Sequence, residues 1–230
     1  MKDLTASYTE FHARKNPTNV YPPEWLIRTL LGTYPRLSID HRRYPNSRIL
    51  DVGFGDGRNW PLLDNIGFHI HGVEITDRIV ALGYERARHL GIEVDLKTGS
   101  NAAIPFEDEY FDFIVASSSC YYLDDGTVFA DNLREYSRVL KPGGILLASL
   151  PESTNAIFEG AVNLGDGVVE IRNDPWNLRN GYRFRWFVDE DDVREAFSPW
   201  FESFSIGLCR DNYYGIQINA FLLVCERKSR

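Results

Sequence analysis

Cysteine is scarce in this chain: Cys120, Cys209 and Cys225 are the only three among 230 residues, far apart and without C-x-x-C spacing. That scarcity argues against a disulfide framework or a thiolate metal knuckle, and points to a reducing cytoplasm with each thiol as buried filler. Long hydrophobic runs are missing too. Nothing approaches the ~20 apolar residues that span a bilayer, and residues 145–150 are the kind of block that makes a buried strand. Positive charge is in deficit, with 25 Lys and Arg against 33 Asp and Glu and a net charge of −8. An acidic surface repels phosphate backbones, which counts against nucleic acid as a partner. The segment Met1-Lys2-Asp3 lacks the apolar core of a secretion signal, so a cytoplasmic location with no membrane partner is expected. No repeat, low-complexity tract or linker interrupts the chain, and a single domain over residues 1–230 is the economical expectation.

What is present is an alternation. From about residue 48, strand-like and helix-like segments follow one another, the signature of an α/β fold with a mostly parallel sheet covered on both faces. Strands are expected over 48–52, 69–75, 92–97, 111–117 and 145–150. A helix after Thr76 or Asp77 carries Ile79, Leu82, Arg86 and Leu90 three to four apart and stops at Gly91. A second carries Phe129, Leu133, Tyr136 and Leu140, then meets Lys141-Pro142-Gly143-Gly144, which permits a tight reversal into the fifth strand. The last candidates, 201–208 and 216–225, are joined too tightly for a parallel crossover, so this pair should be antiparallel.

Two segments stand outside the alternation. Residues 1–47 form an N-terminal helical extension, with one helix beginning near Pro23 and carrying Trp25, Ile27, Leu30 and Leu31. Residues 152–188 form an insertion after the fifth strand, rich in aromatics and arginine; residues 189–230 then supply a helix and the strand pair. The insertion reads equally as a lid offering stacking faces and anion-binding forks, or as a sheet extension in which Phe184, Trp186 and Phe187 are packing residues.

The most informative stretch is Ile49-Leu50-Asp51-Val52-Gly53-Phe54-Gly55-Asp56-Gly57-Arg58-Asn59. An apolar strand runs into an acid, and then glycines recur at every second position, where backbone turns sharply and approaches a ligand closely. A nicotinamide fingerprint would need glycine where Arg58 stands, and no Tyr-x-x-x-Lys pair is present, so an oxidoreductase is disfavoured. The run resembles the first motif of class I S-adenosylmethionine-dependent methyltransferases, in particular the small-molecule enzymes of the type 11 group. Glu74, seventeen residues after Gly57, matches the acid ending that family's second strand. Gly99-Ser100-Asn101-Ala102-Ala103-Ile104-Pro105-Phe106, Tyr110-Phe111-Asp112 and Leu140-Lys141-Pro142-Gly143-Gly144 are similar to its later landmarks. Together these matches cover residues 48–150.

The resemblance implies a Rossmann-like sheet whose last strand is antiparallel, with S-adenosylmethionine as cofactor. The implied cofactor contacts are Asp51, Gly53, Phe54, Gly55, Asp56, Gly57 and Asn59 around the bend, and Glu74, Ile75 and Thr76 at the ribose. Ser100, Asn101 and Ala102 would border the adenine, with Ser117, Ser118 and Tyr122 after the fourth strand. Ser100 stands where the family usually has an acid, so Asn101 or the backbone near Ala102 would supply the adenine contact. Candidate catalytic groups are His12, Tyr121 and Glu152; candidate substrate contacts are Tyr8, Tyr21, Asn155, Trp176, Arg179, Tyr182, Arg183 and Trp186. His69 and His71 share one strand face without Cys or acid to complete a metal site, and no metal is expected. The expected reaction is methylation of a small molecule, O ahead of N, by a monomer or homodimer. The rival is a non-catalytic cofactor-binding subunit, motivated by the lack of an unmistakable base.

Overall fold

The computed structural model describes residues 4–14 and 21–229. In chain order it contains α1 (Leu4–Ala13), α2 (Glu24–Leu31), β1 (Arg48–Val52), α3 (Trp60–Asn65), β2 (His69–Glu74), α4 (Asp77–Leu90), β3 (Val94–Thr98) and β4 (Phe111–Ser117). There follow β5 (Tyr122–Leu123), α5 (Phe129–Val139), β6 (Leu140–Pro151), β7 (Val162–Gly165), β8 (Val168–Glu170), β9 (Arg183–Arg185), α6 (Glu190–Phe197), β10 (Phe201–Tyr213) and β11 (Ile216–Arg227).

Seven strands form one sheet in the order β10-β11-β6-β4-β1-β2-β3. The pairings among β3, β2, β1, β4 and β6 are parallel, while β11 runs antiparallel to both β6 and β10. This is the mixed, Rossmann-like sheet the sequence implies. Its central strand β4 is buried through Phe113, Ile114, Val115 and Ala116, as a strand covered on both faces requires. Alternation then sends Leu50 and Val52 to one core and Ile49 to the other.

Helix signals are read locally. Thr76 Oγ1 accepts from the Ile79 N–H at 3.2 Å, and Gly91, at φ +70°, ends α4. The inward face of α4 is rotated from the expected one: Ile79 and Arg86 are buried with Gly83 and Ala87, whereas Leu82 and Leu90 are half-buried. Gly83 is the reason, because a Cβ there would stand 2.7 Å from Leu96 and 2.9 Å from Phe54, so the helix seats on its glycine. In α2 the buried face is Leu26, Thr29 and Leu30, leaving Ile27 and Leu31 exposed. On α5, Phe129, Leu133 and Tyr136 are buried as the spacing predicts, with Asn132 and Val139.

Strand β6 begins earlier than residue 145. Leu140 pairs with Phe111 and Ile145 with Phe113, so residues 141–144 bulge out of register between them. β3 starts at Val94, because the Ile92 N–H bonds to the Ala87 carbonyl and still belongs to the helix end. The insertion is itself structured: its β7, β8 and β9 join β5, from the loop after β4, in a second, four-stranded antiparallel sheet. It rises beside the rim where β1, β2 and β4 end. Among the described residues, no helix is long and apolar enough to cross a membrane.

Candidate active site

A cavity of about 670 Å³ opens at the carboxyl ends of the parallel strands. That volume lies within the range of small-molecule sites, and this rim is where open α/β sheets take ligands. Its floor is Val52 and Gly53 at the end of β1, Val73, Glu74 and Ile75 at the end of β2, Gly99, Ser100, Asn101 and Ala103 after β3, and Ser118 and Ser119 after β4. Apolar and polar groups alternate around this floor, a lining suited to a nucleoside.

Glu74 ties the floor together. One carboxylate oxygen accepts from the Gly55 N–H at 3.0 Å and the other from the Ile75 N–H at 2.9 Å. Burial pushes its carboxyl up from the ordinary glutamate value, and the two amides pull partly against that. The glycine bend faces it. Gly53, at φ +66°, donates its N–H to the Val73 carbonyl at 2.9 Å, and a Cβ there would come within 2.8 Å of the Ser119 Cβ. Ser119 Oγ in turn donates to the Val52 carbonyl at 2.6 Å. Only a glycine lets the loops after β1 and β4 close this gap. A Cβ on Gly55 would meet the His12 ring at 2.5 Å, so α1 lies directly on the bend.

Several residues expected at the cofactor instead support the bend from behind. Phe54 is buried against Trp60 and below Gly72 and Gly83, and Gly57 accommodates the Trp60 ring. Asp56 is buried beside the Arg86 charge and lies off the cavity wall. Asp51 is 1% exposed and receives both its hydrogen bonds from Asn59 Nδ2, at 3.1 and 3.2 Å. Burial lifts the Asp51 carboxyl to about 7 despite those bonds. Thr76 is occupied as the α4 cap and stands 3.4 Å from Thr9 Oγ1 of α1.

The loop after β4 is held by two asparagines. Asn101 Nδ2 donates to the Ser119 and Tyr122 carbonyls, and its Oδ1 accepts from the buried Tyr136 hydroxyl at 2.7 Å. Its side-chain amide is therefore a bracket for the loop, while the residue itself stays on the cavity floor. Asn132, fully buried, donates to the Cys120 and Tyr122 carbonyls. Ser118 sits at φ +59°, a left-handed conformation costing a non-glycine about 1–2 kcal/mol. Ser149 holds it there by accepting the Ser118 N–H at 2.9 Å. Ser100 lies on the cavity wall, but its neighbour there is Ala103 in place of Ala102, because residues 100 and 103 pair their backbones across a turn. Ser117 turns its hydroxyl into the protein and off the wall.

The opposite wall is made by Tyr8 of α1, Tyr122 and Leu123 of β5, Asp124 and Asp125, and Gly181, Tyr182 and Arg183 beside β9. Tyr8 and Tyr122 join hydroxyls at 2.9 Å, and Arg179 Nε donates to the Tyr122 hydroxyl at 3.0 Å. Arg179 is anchored by Asp174, 3.4 Å away, whose buried carboxylate also accepts from the Trp176, Leu178 and Arg179 amides. Within the insertion Phe184 and Phe187 are core, while Tyr182 and Arg183 line the cavity.

The other expected catalytic and substrate residues lie elsewhere. Tyr121 is buried, stacked on Tyr122 and edge-on to Phe184, and its hydroxyl is held above the ordinary tyrosine range by burial. Glu152 is buried in an ion pair with Arg210 of β10, also accepts from Thr154, and is held below the ordinary glutamate value by that arginine. Its N–H pairs with the Asn219 carbonyl of β11, which turns the side chain away from the cavity. Asn155 caps a 3₁₀ turn and donates to the same Asn219 carbonyl. Tyr21 is 77% exposed, Trp176 stands in solvent beside Arg179, and Trp186 packs on Phe158. His12 lies between Tyr8 and Phe11 over Gly55 and off the cavity wall. His71 packs among Phe106, Tyr110 and Phe111, and no cluster of His, Cys, Asp or Glu fit for a metal occurs among the described residues.

Sequence reasoning missed Val73, Ser119 and Leu123 on the wall, and Asn132, Tyr136 and Asp174 behind it. The first three were findable as neighbours of motif residues. The last three act only through tertiary contacts.

Comparison with known proteins agrees with this geometry. A family model described as a methyltransferase domain matches residues 50–148. The chain is 25% identical over 156 residues to a ubiquinone biosynthesis O-methyltransferase of Maricaulis maris, covering 67% of this chain and 58% of the relative. It is 32% identical over 105 residues to a demethylmenaquinone methyltransferase of Bacillus cytotoxicus, covering 44% and 43% respectively. The chain thus spans about half the length of these two curated relatives. A solved SAM-dependent methyltransferase from Methanosarcina mazei shares the fold at TM-score 0.65 and 20% identity, over 87% of this chain and 100% of that one. The fold is that of the class I methyltransferases. Residues 50–148 match a methyltransferase domain, and the chain is similar to S-adenosylmethionine-dependent methyltransferases of that fold.

S-adenosylmethionine is the cofactor of this class, and the residues present fit it. The bend at Gly53 leaves a cradle that a Cβ would fill, and Glu74 presents a buried carboxylate on the wall beside it.

Proposed function

We propose that this protein transfers a methyl group from S-adenosylmethionine to an oxygen of a small metabolite. Gly53, Ser118 and Ser119 would hold the methionine end, Glu74 the ribose hydroxyls through charge-assisted bonds, and Val73, Ile75, Ser100 and Ala103 the adenine. When bound, the cofactor supplies a sulfonium-borne methyl group that an acceptor lone pair takes as the carbon–sulfur bond breaks toward sulfur. The chain's own work is alignment and exclusion of water. Tyr8, Tyr122, Tyr182 and Arg183 would face the acceptor, with α1 closing the mouth. Residues 48–150 form the cofactor core in this reading, residues 1–47 the cap, residues 152–188 the acceptor side and residues 189–230 its support, all within one domain. The acidic balance disfavours nucleic acid as the acceptor, and this reading takes the enzyme as cytoplasmic, a monomer or homodimer, with no membrane partner.

A single observation carries the reading: Glu74 and the Gly53 bend share one cavity with a wall of three tyrosines. Incubating the purified chain with methyl-labelled S-adenosylmethionine and a small-metabolite extract tests it. Label is expected in a small-molecule product. Absence of transfer would favour the inert-subunit reading, and label in RNA would contradict the acceptor class.

A further inference from the structure

The wall opposite Glu74 holds a donor that no internal bond uses. Tyr8 and Tyr122 carry two hydroxyl protons between them, and their mutual 2.9 Å bond consumes one. The remaining lone-pair demand at Tyr122 is met by Arg179 Nε at 3.0 Å, a bond in which Tyr122 accepts. Whichever way the pair is oriented, one phenolic O–H is left over on the cavity wall. Burial, followed by the neighbouring Tyr122, drives Tyr8 well above the ordinary tyrosine range, so it stays protonated and serves as donor and not as base. Arg179 is rigid, because Asp174 pairs with it and caps its turn. Its positive charge polarises the phenols toward donation. Arg183 adds a second cation on the same wall.

The rings define the rest of the ligand. Tyr182 meets Tyr8 at a centroid distance of 6.1 Å and Tyr122 at 5.5 Å, both edge-on, so ring edges and faces surround the donor. Such walls favour a flat ligand. The carboxylates on the cavity offer no matching base: Glu74 is tied to two backbone amides, and Asp124 and Asp125 lie exposed at the mouth.

We propose that Tyr8, Tyr122 and Arg179 form an oxyanion clamp that selects planar acceptors bearing an acidic hydroxyl and binds them ionised. On binding, the acceptor O–H bond breaks, its proton passes to bulk water, and the electron pair stays on the oxygen, which the leftover phenolic O–H then holds. Arg179 touches neither the cavity nor the ligand and is a positioning residue. This clamp rests on the methyl-transfer reading above and deepens it by naming the acceptor class.

The probe is 4-nitrophenol, whose ionisation is read by absorbance, titrated against the full chain saturated with S-adenosylhomocysteine. Bound probe should ionise at least tenfold more readily than free probe. Arg179→Met and the double variant Tyr8→Phe/Tyr122→Phe, which removes both phenolic donors, should each return its ionisation at least halfway, on the pH axis, to that of the free probe, with S-adenosylhomocysteine affinity unchanged within twofold. Arg179→Lys, which keeps the charge and loses the Nε geometry, should fall between, and it serves if Arg179→Met does not fold. Probe that fails to bind, that ionises as it does in free solution, or that is indifferent to Arg179→Met and Arg179→Lys overturns the clamp. Failure of S-adenosylhomocysteine itself to bind would instead overturn the methyltransferase reading.

Discussion

The two walls of the cavity are built on opposite plans. The Glu74 wall comes from strand ends of one parallel sheet, and its groups act largely through backbone: Gly53 and Gly55 amides, the Val73 carbonyl and a carboxylate between them. The tyrosine wall is gathered from α1, β5 and the approach to β9, and its side chains bond to one another before they meet any ligand. Backbone presentation fixes the first wall wherever the sheet forms. The second wall exists only when α1 and the small sheet are docked, so under the proposed function acceptor binding would be the part of the cycle most exposed to local opening.

That contrast is breakable by mutation. The largest effect should come from Glu74→Ala, which lowers S-adenosylhomocysteine affinity by more than tenfold in a calorimetric titration. The same change leaves two loop amides unpaired, at about 1–3 kcal/mol each in stability. Glu152→Ala, after β6 on the same sheet, is the control: it should lower Tm and leave that affinity unchanged.

The next effect concerns pH. Asp51 is raised from 3.8 to about 7, so the folded protein retains a proton that the unfolded chain has released. The associated stability is complete below about pH 4, declines as pH rises, and is gone once pH passes 7. A shift of that size corresponds to something on the order of 4 kcal/mol. Denaturation followed from pH 4 to 8 should show that fall, and Asp51→Asn should flatten it; an unchanged slope in the variant would assign it to other groups.

Gly53→Ala should be milder in stability, about 1–2 kcal/mol for a side chain in the left-handed region. Its Cβ would press on Ser119, so urea midpoints and cofactor affinity should drop together. The smallest effect belongs to Glu152→Gln, which should leave kcat within twofold once an acceptor is identified.

How much of this was readable in advance follows the same division. The bend and Glu74 were legible because one contiguous run and its spacing encode them, and the mostly parallel sheet with an antiparallel last strand because segments alternate and the final connection is short. Glu152 and Asn155 were expected on the rim by the strand-end rule. Yet β6 stays paired with β11 through Pro151, and β11 turns both side chains toward Asn219 and Arg210. Asn101 lies on the cavity floor as expected, but only tertiary structure reveals that Tyr136 and the Ser119 and Tyr122 carbonyls engage its amide. The small sheet escaped notice because its strands are two to four residues long, too short to show a period.

Calorimetry of the unmodified chain with S-adenosylhomocysteine probes the shared premise most directly. Saturable one-site binding at micromolar ligand, weakened at least tenfold in Glu74→Ala, is the predicted result. A flat thermogram at millimolar ligand would contradict the assignment of this cavity to an adenosyl cofactor.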